Sequence, residues 1–216
     1  MTRRRHFMPF LVVALALALT PIFVAYRPAA AADLSDPKAA ARSFAQAMVA
    51  NDSAALHAAA VGTDEQWSMI KALSDLLAGQ KQLSDAATAK FGKDAAMMPQ
   101  QNPIKDLDEK LKDADVAVNG DEATITFKNT NAAAPSRPMK LKKDGGDWKV
   151  DLASMNMGRN ANMTPDRLEK VAQVMTETAD EVVAGKYATM MEAQQAMGKK
   201  LTALMRPASA PATKPS

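Results

Sequence analysis

The chain contains no cysteine. That excludes disulfides and thiolate metal sites, and also a bacterial lipid anchor, which needs a lipidated cysteine at its cleavage site. Histidine is nearly absent too, with only His6 and His57 present. A catalytic histidine needs a carboxylate to orient it and a nucleophile within reach. His57 sits among alanines that supply neither, so it reads as an ordinary helix-surface residue. A surplus of positive charge is also missing. Lys and Arg number 27 against 24 Asp and Glu, and Arg3, Arg4, Arg5 and Arg27 all precede residue 33. From residue 33 onward 23 basic residues face 24 acidic ones. Nucleic-acid binding needs a clustered positive excess, and none exists. No internal repeat is visible.

What is present begins with the first 32 residues. Arg3-Arg4-Arg5 precede an apolar run from Phe7 to Tyr26, interrupted by Pro9, Thr20 and Pro21. Ala29 to Ala32 then stand just before Asp33. Charged, apolar and small residues in that order are the pattern of a secretory signal peptide. The expected cut is Ala32|Asp33, with Ala30 and Ala32 as the small −3 and −1 side chains. The alternative is an uncleaved anchor, since the run approaches the ~20 apolar residues that span a bilayer. Pro21 and the alanine cluster favour cleavage. Arg4-Arg5 also fits loosely a twin-arginine signal, although Arg3 stands where Ser or Thr is expected. The expected location is therefore periplasmic or secreted. Membrane contact is expected only through the leader, if it stays attached.

The remainder reads as a single α+β domain over 33–206, mainly helical over 33–112, with an antiparallel sheet over 115–152 and helices over 164–206. Ser35-Asp36-Pro37 is a helix start, a capping side chain followed by proline at the first helical position. Asn51-Asp52-Ser53 breaks that helix and caps a second, which Gly62 is expected to end. Thr63 to Gln66 reads as a capping box. A long helix is expected from there to Phe91, with Trp67, Ile70, Leu73 and Leu77 on one face, a bend at Gly79 and a stop at Gly92. Asn102-Pro103 opens a shorter helix carrying Ile104, Leu107 and Leu111.

The period then changes to strict alternation. Val116 and Val118 lead into Asn119-Gly120, a type I′ hairpin signal. Ala123, Ile125 and Phe127 face one way and Thr124, Thr126 and Lys128 the other. Met139 and Leu141, then Trp148, Val150 and Leu152, alternate with polar residues around the Asp144-Gly145-Gly146 turn. This predicts about four strands in an antiparallel meander with one dry face. Thr164-Pro165 opens a further helix. A second capping box, Thr189 to Glu192, opens the last one. Residues 207–216, rich in Pro and Ala, read as a disordered tail.

Helices followed by Val118-Asn-Gly-Asp-Glu-Ala-Thr-Ile125 and Lys143-Asp-Gly-Gly-Asp-Trp-Lys-Val-Asp151 resemble the nuclear transport factor 2-like superfamily, in particular its small exported bacterial domains. Phe44, Ala47, Gly120, Asp121, Ala123, Trp148, Lys149 and Val150 carry the resemblance, which covers about residues 36–152. It implies helices packed on a meander sheet. The long helix 64–91 and the two helices after the sheet depart from the family pattern, and the latter could close the usual pocket. The superfamily includes enzymes, ligand binders and assembly modules, so the resemblance does not decide function.

Few constellations could carry chemistry. Asp106, Asp108, Glu109, Asp113 and Asp115 lack the EF-hand spacing and are mixed with lysines, so they read as a solvated helix face. An isomerase relative would place a carboxylate in the cone; Asp151 and Asp121 are the nearest candidates, and alternation points Asp151 to solvent. Lys140, Lys142, Lys143 and Lys149 read as a basic strip on the sheet's wet face. Met155, Met157 and Met163 have the Met-x-Met spacing of exported Cu(I) carriers, although methionine more commonly fills cores and adaptable interfaces. The leading expectation is a non-enzymatic exported domain without a cofactor, which binds a protein partner or a small apolar ligand and is suited to self-association. The alternatives are a ketosteroid-isomerase-like enzyme and a periplasmic Cu(I)-binding protein using the Met155/Met157/Met163 loop.

Overall fold

The computed structural model describes residues 32–92, 95, 103–128, 138–155 and 164–205. Among them are six α-helices and one sheet of five strands. The helix starts follow local chemistry. Asp36 accepts hydrogen bonds from the Lys38 and Ala39 amides at 2.8 and 3.1 Å, and Pro37 opens α1 (Pro37–Ala50). Asn51 ends α1 in the left-handed region, and Asp52 caps α2 (Ser53–Ala59). The Thr63–Gln66 capping box opens α3 (Asp64–Phe91), and Gly92 caps its far end. These side chains satisfy amides that have no partner inside the helix.

The chain then runs through α4 (Pro103–Asp113), β2 (Asp115–Asn119), β3 (Glu122–Thr126), β4 (Met139–Asp144), β5 (Asp147–Asp151), a 3-10 turn at Leu152–Met155, α5 (Pro165–Val183) and α6 (Met190–Met205). The second expected capping box opens α6 in a modified form. Thr189 Oγ1 accepts from the Glu192 amide at 3.2 Å, and Glu192 reaches back to the Ala188 amide at 2.8 Å.

The sheet corrects the expected four-stranded antiparallel meander. Its order is β1-β5-β4-β3-β2, and β1 (Ala60–Val61) runs parallel to β5, with Ala60 opposite Val150 and Val61 opposite Asp151. The second helix stops at Ala59, not at Gly62, and Ala60 takes an extended conformation. Those two residues give up helical bonds to pair with the otherwise open edge of β5. A strand of two residues has no period to read in a sequence. The first hairpin also differs. Asn119 pairs with Glu122, so the turn residues are Gly120 and Asp121. Only Gly120 has positive φ there, 59°, which fits a type II′ turn and not type I′.

The dry face of the sheet carries the main core. Phe44 of α1 lies against Ile125, Leu141 and Val150, with all four at most 2% exposed. Each such side chain contributes roughly 1.5–3 kcal/mol of burial. A second layer is the pair α3 and α5, the most extensive contact between helices. Gly79 of α3 is buried at that seam, where a Cβ would lie 3.0 Å from the Ala172 carbonyl oxygen of α5. Its role is close helix approach, and α3 runs through it without interruption. No described helix is long and apolar enough to cross a membrane.

Candidate functional site

α3 is long enough to serve several neighbours. Ile70 and Ser74 face α1 and α2, Met69 and Ala72 pack with Leu168 of α5, and Leu83 packs with α5 and α6. Past the C-terminal end of α1, the α3–α5 pair is left bare on one side. The result is an open groove of about 620 Å³. It is lined by Ala78, Ala86 and Ala89 of α3, Ala179 and Val183 of α5, and Val49 and Ala50 at the end of α1. Val183 is 71% exposed, although its neighbour Val182 is fully buried. The rim is polar and internally satisfied. Lys81 is ion-paired with Asp85, and Gln82 Nε2 donates to Asp180 Oδ1 at 3.1 Å.

Alanine makes this groove shallow and smooth, because it fills the space between helices without reaching into solvent. Such a surface accepts apolar side chains from outside; its ionisable groups are Lys81 and Asp85, which are paired with each other at the rim. Sequence reasoning did not single it out. The available trace was Val183, an apolar residue beside the Val182 stripe position, together with the i, i+3 alanines 86 and 89.

A second cleft of about 490 Å³ lies beside the α1–α2 elbow. The His57 and Trp67 rings meet there with centroids 4.0 Å apart and planes tilted by 36°. His57 is on the helix surface as expected; its contact with Trp67 was not foreseen. Below it, the buried Ser74 hydroxyl lies 2.7 Å from the Met48 carbonyl and 2.8 Å from Asn51 Oδ1, and Asn51 Nδ2 donates to Asp75 Oδ1 at 3.0 Å. This network ties the elbow to α3. Ser53 and His57 of α2 also line the cleft, outside this network.

The residues expected from sequence to carry chemistry are dispersed. Met155 is half-buried against the main core, while Met157 and Met163 lie outside the described residues. Ala30 also lies outside them. Ala32 touches the core, and the Asp33 amide donates to Ser43 Oγ at 3.0 Å. Asp33 itself is held below the usual carboxylate range by the Ser35 hydroxyl and amide.

Asp151 corrects its expected solvent exposure. It is on the face opposite Trp148, as alternation requires, but only 9% exposed. Lys142 Nζ lies 2.9 Å from one oxygen, and the other accepts the Ala153 amide at 3.1 Å. The 3-10 turn after β5 supplies the Ala153 amide and β4 supplies Lys142, contacts that alternation within β5 alone does not foretell. Asp121 is exposed in the hairpin turn. Asp108 forms a fork with Arg42, Nε–Oδ1 2.7 Å and Nη2–Oδ2 2.9 Å, and Arg42 holds its carboxyl below the usual range. Among the described residues no three His, Cys, Asp or Glu side chains are grouped to hold a metal ion. The expected lysine strip is divided as well. Lys142 and Lys149 are paired with Asp151 and Asp144, and Lys143 lies on the other face, 5.6 Å from the Trp148 ring centroid.

No family model matches this chain, and no curated protein or solved structure is found to be similar to it.

Proposed function

We propose that this chain is a non-enzymatic binding module, exported to the periplasm or beyond, that holds an apolar segment of a protein partner in the groove between α3 and α5. One observation carries the reading: the groove has an alanine and valine lining with Val183 71% exposed, framed by a rim whose charges are already paired. A partner helix laying apolar side chains on that lining would bury Val183 and leave the rim wet. A protein partner is preferred over a small apolar ligand, because the space between sheet and α1 is taken by Phe44, Ile125, Leu141 and Val150. The leader-like residues 1–32 support export, and helices followed by a meander support a nuclear transport factor 2-like relationship.

The isomerase-like alternative asks for a carboxylate held in an apolar pocket. Asp151, the buried candidate, is instead bound to Lys142 and the Ala153 amide. The Cu(I) alternative would use Met155, whose side chain is half-buried against the core.

The test is site-specific photo-crosslinking in the producing cell, with the crosslinker at Ala89 and, as control, at Asp121 in the β2–β3 turn. One partner captured at 89, absent at 121, and lost in an Ala89 crosslinker variant carrying Val183→Glu is the expected result. Equal capture at both positions sinks the reading. Val183-dependent binding of the apolar dye N-phenyl-1-naphthylamine without protein capture would assign the groove to a small ligand instead.

A further inference from the structure

The two edges of the sheet are treated differently. At one, β1 is only two residues long, which blunts it. At the other, β2 is five residues long and every one of them is exposed. It carries no lysine, proline or bulge among the devices that keep an edge from pairing, and its single charge, Asp115, stands at the start of the strand on the same face as Ala117. Its side chains continue the core. The row Val150–Leu141–Ala123–Val118 crosses four strands, and only its last member leaves the core, with Val118 56% exposed after three residues at 2% or less. Val116, opposite the buried Ile125, is 36% exposed. The apolar face thus runs past the helices that cover it.

The backbone is equally prepared. Asn119 and Glu122 flank a two-residue turn and therefore exchange both of their hydrogen bonds. Alternation then directs the N–H and C=O of Val116 and Val118 away from β3, toward the open edge.

We infer that this edge pairs with β2 of a second copy of the chain, antiparallel about a two-fold axis at Ala117, to give one continuous sheet through both copies. The segment Asp115-Val-Ala-Val-Asn119 complements itself in that register. Val116 meets Val118 of the second copy in hydrogen-bonded pairs, which uses all four outward backbone groups of each strand. On the dry face valine meets valine, extending both cores. On the wet face the small Ala117 side chains meet at the axis. Asp115 stands opposite Asn119 of the second copy, so a carboxylate faces an amide donor and no like charges oppose each other. Any register shifted along the strand loses some of these pairings.

The experiment is sedimentation equilibrium of the chain as isolated from cells, with two kinds of variant. The wild type is expected to dimerise at micromolar concentration. Val118→Lys should raise the dissociation constant roughly 100-fold while circular dichroism and tryptophan emission stay unchanged, because the edge side chain is outside the fold's own core. The absence of cysteine allows a register test that does not depend on that variant. Ala117→Cys should oxidise to a disulfide-linked dimer, since residues facing across a non-hydrogen-bonded antiparallel pair have Cα atoms about 4.5 Å apart. Asn119→Cys should not, being displaced from the axis. A monomer at all concentrations, a dimer indifferent to Val118→Lys, equal crosslinking at 117 and 119, or a different protein joined to the cysteine at 117 would each overturn the inference.

Discussion

Gly79 and Ala172 meet across the α3–α5 seam so closely that a Cβ at 79 would stand 3.0 Å from the Ala172 carbonyl oxygen. The contacting atom is helix backbone, which cannot rotate away as a side chain tip would. The groove proposed to hold a partner is formed by these same two helices, so their separation sets its width.

Gly79→Ala should therefore destabilise the fold although alanine is the better helix former. The propensity gain of about 1 kcal/mol is opposed by overpacking of about 1–3 kcal/mol. Urea unfolding should report a net loss near 1 kcal/mol, and Gly79→Leu a larger one. A variant more stable than wild type would mean that α5 moves aside freely.

Glu181 accepts hydrogen bonds from Lys186 at 2.8 Å, the Tyr187 hydroxyl at 2.5 Å and Lys200 at 2.9 Å, and thereby fastens α6 to α5. The Lys186, Tyr187 and Lys200 bonds lower its carboxyl from an ordinary 4.5 to about 2. Because the folded value is the lower one, its stabilisation is complete above pH 4.5 and is lost as pH falls through about 2. Glu181→Gln should flatten the pH dependence of the unfolding midpoint in that window and speed amide exchange in α6. An unchanged pH profile would show that α6 is held by its apolar contacts alone.

Asn51 combines a left-handed φ of 52° with hydrogen bonds to Ser74 and Asp75. Asn51→Gly keeps the conformation and loses the bonds; Asn51→Ala loses the bonds and adds strain. The expected costs are about 1 kcal/mol for glycine and about 2 kcal/mol for alanine. Equal losses in thermal unfolding would place the whole effect in the side-chain network.

The Arg42–Asp108 fork joins α1 to α4 in the open, with the side chains 50% and 32% exposed. Asp108→Asn should lower stability slightly at low ionic strength, and the difference should vanish in molar salt, as screening predicts. A loss that persists in high salt would show that the bond geometry matters more than the charge.

Much of the secondary structure was legible because its causes are local. Asp36, Asp52 and Thr63 cap the helices they were expected to cap, each bonding amides two or three residues on. The alternation of Ala123, Ile125, Leu141, Trp148 and Val150 assigned the dry face correctly, because successive strand residues point to opposite sides. The hairpin turn was misread by one residue because Asn119-Gly120 and Gly120-Asp121 are both acceptable turn pairs, and pairing across the strands chose between them. The groove was not legible at all, since a row of alanines reads the same whether it faces a helix or water.

By itself the sequence determined where helices begin, which face of each strand is apolar, and that no thiol chemistry can occur, since these depend on covalent identity and on neighbours within a few residues. Only the tertiary structure decided that Ala60–Val61 would leave a helix to pair with β5, that Asp151 would be covered, that Gly79 would sit under a carbonyl oxygen, and that Val183 and β2 would remain open. Those outcomes depend on which surfaces distant elements bring together, and packing between segments far apart in the chain overrides the weak preference of any two or three residues.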